Sequence, residues 1–262
     1  MPIQVERVLG GATNHNYILK WGSQYYFLRL GGDVSYLGID LQKEYLIAKT
    51  VETLNISPKP LLYLPDQKIL VTEFIPLKKE ATVPRVIQSI KKLHDSAVVF
   101  PWQSTPFEII KNYIDQLKTA DVVLPSVVNT LLIPLVEKLE RTLILEIAPC
   151  HLDLHKGNFI DDGHHVWLID WEYAAMSDPY FDLATWCSAD FFSDQQMKDL
   201  VLMYDGDNAR ESYLYSMRFL ADVRWMLWAY LQKEFSTINY PYQQSADRFL
   251  NEAVKRCQKI KE

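Results

Sequence analysis

The sequence predicts an α+β protein of two lobes, a smaller lobe built on an antiparallel sheet with one helix and a larger, mainly helical lobe. Short β-prone runs separated by turn residues dominate as far as residue 75, whereas apolar residues at spacings of three and four dominate after it. We therefore place the smaller lobe at residues 1–75 and the larger lobe at residues 76–262.

The smaller lobe is expected to begin with strands. Its predicted elements are a β-meander over residues 4–30, a helix over residues 40–54 and a hairpin of residues 61–64 with 69–75. Turns at Gly10-Gly11 and Gly22-Ser23 divide the meander, and Pro65-Asp66-Gln67 forms the hairpin turn. Apolar residues recur at helical spacing in the helix, which Pro58 and Pro60 follow.

The larger lobe is expected to be helical apart from one hairpin. The predicted helices cover residues 83–94, 107–118, 127–145 and 212–235, with an amphipathic tail from residue 243 onward. Between them lies the loop HLDLHKGN, followed by a hairpin of residues 159–160 with 166–169 around the turn Asp161-Asp162-Gly163. This hairpin delivers Asp170 to the end of a strand.

Charge and composition exclude several classes of function. The net charge is −6 at pH 7 and the isoelectric point is about 5.6, which argues against a nucleic-acid partner. Cys150, Cys187 and Cys257 are widely spaced and predict neither a disulfide framework nor a zinc ribbon. Charged residues near the N-terminus argue against a signal peptide, and no apolar run approaches membrane-spanning length. We expect a cytoplasmic protein without a membrane partner.

The densest polar cluster follows the pattern H-x-D-x-x-x-x-N and continues to a strand that ends in aspartate. Phosphoryl transfer requires a carboxylate that accepts the proton of the attacking hydroxyl, together with an amide and a carboxylate that hold magnesium. The pattern therefore predicts Asp153 as the catalytic base and Asn158 and Asp170 as magnesium ligands. His151 is expected to anchor the loop.

Two other interpretations fit parts of this cluster. In the first, the same residues merely cap a loop and a turn, which is common for short motifs. In the second, four histidines serve a transition metal in a hydrolase, with Asp153 as a bridging ligand; they are His151, His155, His164 and His165. The hydrolase interpretation explains neither Asn158 nor Asp170, and the last two histidines fit a solvated turn.

The stretch HLDLHKGNFIDDGHHVWLIDWEYAAMSDPYFDLATW resembles the central signature of the choline kinase and aminoglycoside phosphotransferase superfamily, in which H-x-D-x-x-x-x-N and I-D-W-E-Y-A recur. GGATNHNYIL, YYFLRLGG, SPKPLLYL and ILVTEFIP match the order of that family's nucleotide lobe. The resemblance covers nearly the whole chain. It implies a protein-kinase-like bilobal fold that uses ATP and Mg²⁺, with nucleotide binding in the smaller lobe and catalysis and acceptor binding in the larger.

The resemblance also implies the site residues of the nucleotide lobe. The loop over the ATP phosphates would consist of Gly11, Ala12, Thr13 and Asn14, and the hinge that binds adenine would consist of Glu73, Phe74 and Ile75. Arg29 would replace the phosphate-binding lysine of protein kinases, with Glu44 as its partner, and arginine can bind phosphate bidentately. Asp182 would brace the catalytic loop. Without the resemblance, Arg29 and Glu44 would also fit exposed surface positions. The hinge residues would equally fit a buried strand.

The acceptor is expected to be a small molecule. Asp178-Pro179 follows Asp170 after only eight positions, which leaves little room for the segment on which protein kinases dock peptides. Trp225 and Trp228 lie at i and i+3, a spacing that fits core packing but also resembles the choline-binding W-x-x-W of choline kinases. Further pocket candidates are Glu172, Tyr173 and Asp190, although Tyr173 also fits the core and Asp190 a helix cap.

The resulting hypothesis is an ATP-dependent kinase that phosphorylates a small cationic alcohol, choline or ethanolamine first. Thiamine is an alternative acceptor, because bacterial thiamine kinases resemble the chain in the same D-W-E-Y-A region. An aminoglycoside is less favoured as the acceptor, because a polycation needs many carboxylates. The positive charges of Arg210, Arg218 and Arg224 offset those in the C-terminal segment. A non-catalytic nucleotide- or cation-binding module is the alternative from another class. Monomer and homodimer both remain open.

Overall fold

The computed structural model describes residues 3–8, 14–32 and 35–261. The chain divides into two compact units, each formed from two separate segments. The first unit comprises Met1–Phe100 and Lys156–Ala174, and the second comprises Pro101–His155 and Ala175–Glu262. The lobe boundary predicted after residue 75 therefore falls inside the first unit, and the hairpin near residue 160 belongs to the same unit as the sheet.

The first unit contains the predicted antiparallel sheet. Its strands are β1 (Gln4–Val8), β2 (Asn14–Trp21), β3 (Gln24–Gly31), β4 (Pro60–Leu64) and β5 (Ile69–Glu73). They are ordered β1-β2-β3-β5-β4, and every neighbouring pair is antiparallel. In this register Arg29 lies opposite Leu70 and Phe27 lies opposite Thr72. Because side chains alternate along a strand, these four side chains share one face of the sheet.

Helix α1 (Leu41–Val51) is the helix predicted after the meander. The side chain of Asp40 caps it by accepting a hydrogen bond from the backbone N–H of Gln42 at 2.9 Å. A single 3-10 turn, Glu52–Leu54, extends the helix. Ile47 and Val51 are fully buried, so the helix is held by its apolar face.

A second helix and the hairpin complete the first unit. Helix α2 (Val83–His94) matches its predicted bounds, and Arg85 on it makes two hydrogen bonds to Asp161, at 2.7 and 3.0 Å. Ser89 donates to the backbone carbonyl of Val166 at 2.6 Å, and the N–H of Leu168 donates to the carbonyl of Ile56 at 2.7 Å. These bonds attach the hairpin to residues that precede it by 76 to 112 positions.

The second unit is mainly helical, as predicted. Its elements are α3 (Pro106–Thr119), α4 (Ile133–Thr142), β6 (Ala148–Cys150), β9 (Ala175–Ser177), α5 (Pro179–Ala189), α6 (Asp194–Asp205), α7 (Glu211–Phe235) and α8 (Tyr242–Lys261); the hairpin strands that intervene in sequence are β7 (Phe159–Asp161) and β8 (Val166–Leu168). Strands β6 and β9 pair antiparallel. Their three-residue length is too short to give a periodic signal, and the sequence did not predict them.

One predicted helix was wrong in detail. Residues 127–145 were expected to form a continuous α-helix, but residues 128–132 form a π-helical turn and the α-helix ends at Thr142. Pro134 lies just after this turn. A proline has no N–H to bond to the carbonyl four residues earlier, and its ring crowds that carbonyl, so the backbone widens there.

Helix α7 is the centre of the second unit. Its residues from Met217 to Gln232 are buried on all sides, and it packs against α3, α5 and α8. Asp222, fully buried, accepts hydrogen bonds from Arg218 at 2.9 Å and from Arg256 at 2.7 Å. Buried charges of this kind are stable when they are paired.

Among the described residues, none of the helices combines the length and the apolar character needed to cross a membrane.

Candidate active site

Arg29 is the centre of an ionic cluster in the first unit. Its Nη1 lies 2.7 Å from a carboxylate oxygen of Glu44, 2.6 Å from Asp170 and 3.6 Å from Glu172. The Arg29 side chain is 5% exposed. One guanidinium therefore faces three carboxylates, which leaves the cluster with an excess of negative charge when all of them are ionised.

Burial and the neighbouring charges both shift the pKa values of this cluster. Burial alone would lower the pKa of Arg29, but the carboxylates of Asp170, Glu44 and Glu172 raise it above its usual value. Burial raises the pKa of Glu44 to about 7, with a further contribution from Asp170, although Arg29 lowers it. Among the described residues, Oε2 of Glu44 has no hydrogen-bond partner. An additional cation near this cluster would be favourable.

Asn14 connects the start of β2 to the same cluster. Its amide nitrogen donates to Glu172 at 2.7 Å, and its amide oxygen accepts from the backbone N–H of Gly32 at 3.3 Å. The other three residues predicted for the phosphate loop, Gly11, Ala12 and Thr13, lie outside the described residues. Glu172 was expected in an acceptor pocket, and the structure places it here, 2% exposed, beside Asn14 and Arg29. The next residue, Tyr173, is half-buried.

A cleft of about 420 Å³ lies next to the cluster within the first unit. Most of its lining is apolar and comes from the sheet, α1 and the hairpin; examples are Ile18, Phe27, Ala48, Leu70, Phe159 and Ile169. Arg29, Glu44 and Asp170 also line it. The cleft thus combines an apolar body with charged groups, and its volume is within the usual range for small-ligand pockets.

The predicted hinge residues also line this cleft. The N–H of Glu73 donates to the carbonyl of Lys59 at 2.9 Å, and its side chain accepts from the N–H of Lys59 at 3.3 Å. Phe74 contacts Tyr25, with the ring centres 5.8 Å apart. Because the N–H of Glu73 is already bonded to the carbonyl of Lys59, the backbone groups of Phe74 and Ile75 are the candidates for a bond to a bound base.

The hairpin brings the two predicted magnesium ligands to one end. Asn158 ends the 3-10 turn Lys156–Asn158, is buried, and accepts a backbone hydrogen bond from Ile169 at 3.1 Å. Asp170 follows directly, with a left-handed φ of 71° and a side chain that is 21% exposed. An amide oxygen and a carboxylate oxygen are hard oxygen donors of the kind that Mg²⁺ prefers, and the carboxylate of Asp170 belongs to the negatively charged cluster around Arg29. These residues fit a magnesium ion.

The loop that carries Asp153 belongs to the second unit, where side chains hold its backbone. The N–H groups of His151 and Leu152 donate to the two carboxylate oxygens of Asp182, at 2.8 and 2.7 Å. Asp182 is fully buried on α5. The side chain of Asp153 is 10% exposed, and Nε2 of His155 lies 3.9 Å from its carboxylate.

The predicted aromatic pair lies on α7, in the same unit. Trp225 and Trp228 meet edge to face with their ring centres 5.6 Å apart, and both are at most 9% exposed. Phe249 stacks on Trp225 at 6.2 Å, and Tyr242 lies 6.0 Å from Trp228. Among the described residues, Nε1 of Trp225 has no hydrogen-bond partner. A buried indole N–H usually has one, so a bound molecule could supply the acceptor.

The remaining site candidates have local roles in the structure. Asp190 ends α5 and accepts a hydrogen bond from Nε1 of Trp186 at 3.0 Å. His164 and His165 are exposed, and their backbone N–H groups donate to Asp162 at 2.8 and 2.7 Å, as in a solvated turn.

Arg224 had no role among the residues predicted for the site. In the sequence it counted only as a positive charge that offsets the carboxylates a polycation would bind. The structure buries Arg224 completely, and its Nη1 donates to the backbone carbonyl of Leu152 at 2.5 Å. A signal was present in the sequence, because a charged residue inside the apolar run of a helix is seldom buried without a specific partner.

Comparison with known proteins gave consistent matches. Residues 4–218 match the model of the phosphotransferase enzyme family. Protein LicA of Haemophilus influenzae is 26% identical over 250 residues, which cover 86% of this chain and 73% of that protein. Thiamine kinase of Escherichia coli O6:K15:H31 is 27% identical over 198 residues, which cover 74% of this chain and 67% of that protein. The crystal structure of choline kinase LicA from Streptococcus pneumoniae has a TM-score of 0.84 at 25% identity and covers 98% of this chain and 93% of that one. The predicted superfamily and its kinase-like fold are confirmed.

Proposed function

Because the chain belongs to the phosphotransferase enzyme family, we propose that it transfers the terminal phosphoryl group of ATP to the hydroxyl of a small cationic alcohol, with choline as the first candidate. The observation that carries this proposal is the apolar cleft lined also by Arg29, Glu44 and Asp170. An apolar body suits a nucleotide base, and the charged groups suit its phosphates together with a divalent cation.

In this proposal the nucleotide base occupies the apolar part of the cleft, with hydrogen bonds to the backbone of Phe74 or Ile75. Arg29 binds a phosphate oxygen, and Glu44 keeps the guanidinium in place through their 2.7 Å contact. Asn158 and Asp170 hold the magnesium ion. When bound, this ion neutralises charge on the nucleotide's phosphates. Asn14 contributes by fixing Glu172 beside Arg29.

Asp153 is proposed as the base that orients the acceptor hydroxyl and accepts its proton. A general base must be held in position before the reaction, because effective proton transfer needs hydrogen-bond geometry. The paired bonds from the loop backbone to Asp182 support this role, since they fix the two residues that precede Asp153. His151 takes part through its backbone N–H.

The aromatic pair on α7 is proposed to recognise the cationic end of the acceptor. Indole faces attract quaternary ammonium groups, with a contribution of about 0.5 to 2 kcal/mol that grows as water is excluded. Trp225 and Trp228 meet at right angles. Because Arg224 and Phe249 already pack on the ring of Trp225, the face of Trp228 is the one proposed to contact the cation. The similarity to the choline kinase LicA of Streptococcus pneumoniae supports choline in particular. Tyr173 and Asp190 stay candidates for the same pocket.

Thiamine is the second candidate acceptor, because the Escherichia coli thiamine kinase matches 74% of the chain at 27% identity. Its thiazolium is also a cation with a hydroxyl group nearby. A domain that binds nucleotide without turnover is the candidate from another class. We further propose that the protein acts in the cytoplasm, as a monomer or a homodimer.

A panel of acceptors tests the proposal. Purified protein would be incubated with ATP and Mg²⁺ and with choline, ethanolamine, thiamine or an aminoglycoside in turn, and the release of ADP followed by a coupled assay. We expect the highest kcat/KM with choline. A higher value with thiamine would replace choline by the second candidate. No ADP release above background with any acceptor, together with intact ATP binding, would favour the non-catalytic module.

A further inference from the structure

Arg224 joins the helix of the aromatic pair to the loop that carries Asp153. Its Nη1 donates to the carbonyl oxygen of Leu152 at 2.5 Å, and the arginine is fully buried. Leu152 immediately precedes Asp153 and belongs to the same compact unit as Arg224. This bond therefore acts on the peptide group that leads directly into the proposed base.

The backbone at Leu152 needs such support. Its φ is +62°, in the left-handed region, which is unfavourable for a residue with a branched side chain. The N–H of Leu152 is held by Asp182 at 2.7 Å, and its carbonyl is held by Arg224. Because a peptide group is planar, fixing the carbonyl of Leu152 also fixes the N–H and the Cα of Asp153. The two bonds together hold the residue in a conformation that it would otherwise seldom adopt.

Arg224 also contacts the aromatic pair. Its guanidinium carbon lies 4.4 Å from the ring centre of Trp225, within the range of a cation–π contact. The planar guanidinium can stack on a ring while one of its N–H groups points at a carbonyl, whereas a lysine ammonium can donate the hydrogen bond but cannot stack. The same side chain thus packs on the ring of Trp225 and bonds to the loop.

We propose that Arg224 is a positioning residue, which holds the Leu152–Asp153 peptide in the left-handed turn that presents the base. The proposal rests on the proposed function only in taking Asp153 as that base. Arg224 itself contacts neither the acceptor hydroxyl nor the phosphates in this proposal. Its effect reaches the reaction through the backbone of Leu152.

Steady-state kinetics with ATP and choline provide the first test. Arg224→Met keeps most of the side-chain volume but removes the donor, and we expect kcat to fall by about 10- to 100-fold while KM for ATP changes less than about twofold. Arg224→Lys should recover part of the loss. Arg210→Met is the matched control, because Arg210 also packs on aromatic rings, of Tyr180 and Tyr213, and its hydrogen bond among the described residues goes to Glu146, outside residues 148–157. The control should leave kcat unchanged.

A double-mutant cycle separates positioning from a merely structural role. Glycine adopts the left-handed conformation without the steric cost that leucine has. In a Leu152→Gly background, Arg224→Met should therefore lower kcat about fivefold less than it does in the wild type. Equal losses in both backgrounds would overturn the proposal, because they would mean that Arg224 does not act through the conformation of residue 152.

Hydrogen–deuterium exchange tests the same inference without any assay of activity. Amides in residues 148–157 should exchange about tenfold faster in Arg224→Met than in the wild type or in Arg210→Met, while the amides of α3 keep their protection. Unchanged exchange in the loop, or an equal increase in α3, would overturn the proposal. If Arg224→Met does not fold, Arg224→Lys is measured in its place, with a smaller increase expected.

A wild type without kinase activity would refute the proposed function, and the exchange result would still decide whether Arg224 holds the loop.

Discussion

The charged end of the cleft and the loop before Asp153 are each stabilised by a different kind of bond. Around Arg29, side chains bind side chains, and three carboxylates share one guanidinium. Around Leu152, side chains bind backbone, and each of Asp182 and Arg224 is fully buried. In our proposal, a carboxylate of the first arrangement can leave Arg29 and bind an added cation, because three carboxylates face a single guanidinium. The second arrangement fixes one conformation, as a proton-accepting group requires.

The largest effect is expected where the first arrangement would hold its metal. Asp170→Asn removes the only charged group among the two proposed magnesium ligands, so turnover with ATP and choline should fall by about a thousandfold or more at saturating Mg²⁺. Initial rates measured against the Mg²⁺ concentration check this. Asp162→Asn, in the turn of the same hairpin, is the matched control and should keep wild-type turnover. A small loss in Asp170→Asn would show that the cluster does not serve a metal.

The second arrangement is tested by Asp182→Asn. This variant replaces a buried acceptor of two backbone N–H bonds with an amide that has one oxygen. We expect kcat to fall about 10- to 100-fold and the free energy of unfolding to fall by about 2 to 3 kcal/mol, because buried hydrogen bonds to a charged group are strong. Urea denaturation and steady-state rates provide both numbers. Unchanged kcat in folded Asp182→Asn would mean that the loop needs no fixed backbone.

A smaller effect is expected at the aromatic pair, which lies in the same unit as the fixed loop. Trp228→Leu removes one indole face while it keeps an apolar side chain, and KM for choline should rise about three- to thirtyfold with kcat changed little. Measuring KM for choline and for ATP in parallel checks this. An equal rise in KM for both substrates would indicate that the pair only packs the core.

The smallest effect concerns pH. The pKa of Glu44 is raised to about 7, chiefly by burial, from an ordinary value of 4.5. Between these values the folded protein holds a proton that the unfolded chain has lost, so Glu44 makes stability fall as pH rises from about 4.5 to about 7. In Glu44→Gln the free energy of unfolding should depend less steeply on pH in this window. Urea denaturation at several pH values, without ligands, measures the slope. A slope equal to that of the wild type would show that Glu44 titrates normally.

Much of the fold followed from local patterns in the sequence. The meander, α1, the hairpin of β4 with β5, and α2 all lie close to their predicted bounds, because strand and helix periodicity act over a few residues. The proposed catalytic motif was visible for the same reason, since its residues lie within twenty positions.

The rest depends on contacts between distant parts of the chain. The attachment of the hairpin to α2 through Arg85 and Asp161 joins residues 76 positions apart, and no local pattern predicts it. The left-handed turn at Leu152 is supported by Asp182 and by Arg224, 30 and 72 positions away. A leucine gives no sequence signal for positive φ, as a glycine would.

The most direct measurement compares wild type with Asp153→Asn in the presence of ATP, Mg²⁺ and choline, with the phosphorylated product followed by ³¹P NMR and ATP affinity by calorimetry. The wild type should form a phosphate monoester. Asp153→Asn should form it about 10² to 10⁴ times more slowly while binding ATP within about twofold of the wild type, because the base acts in the transition state. Equal rates of product formation in the two proteins would contradict the account.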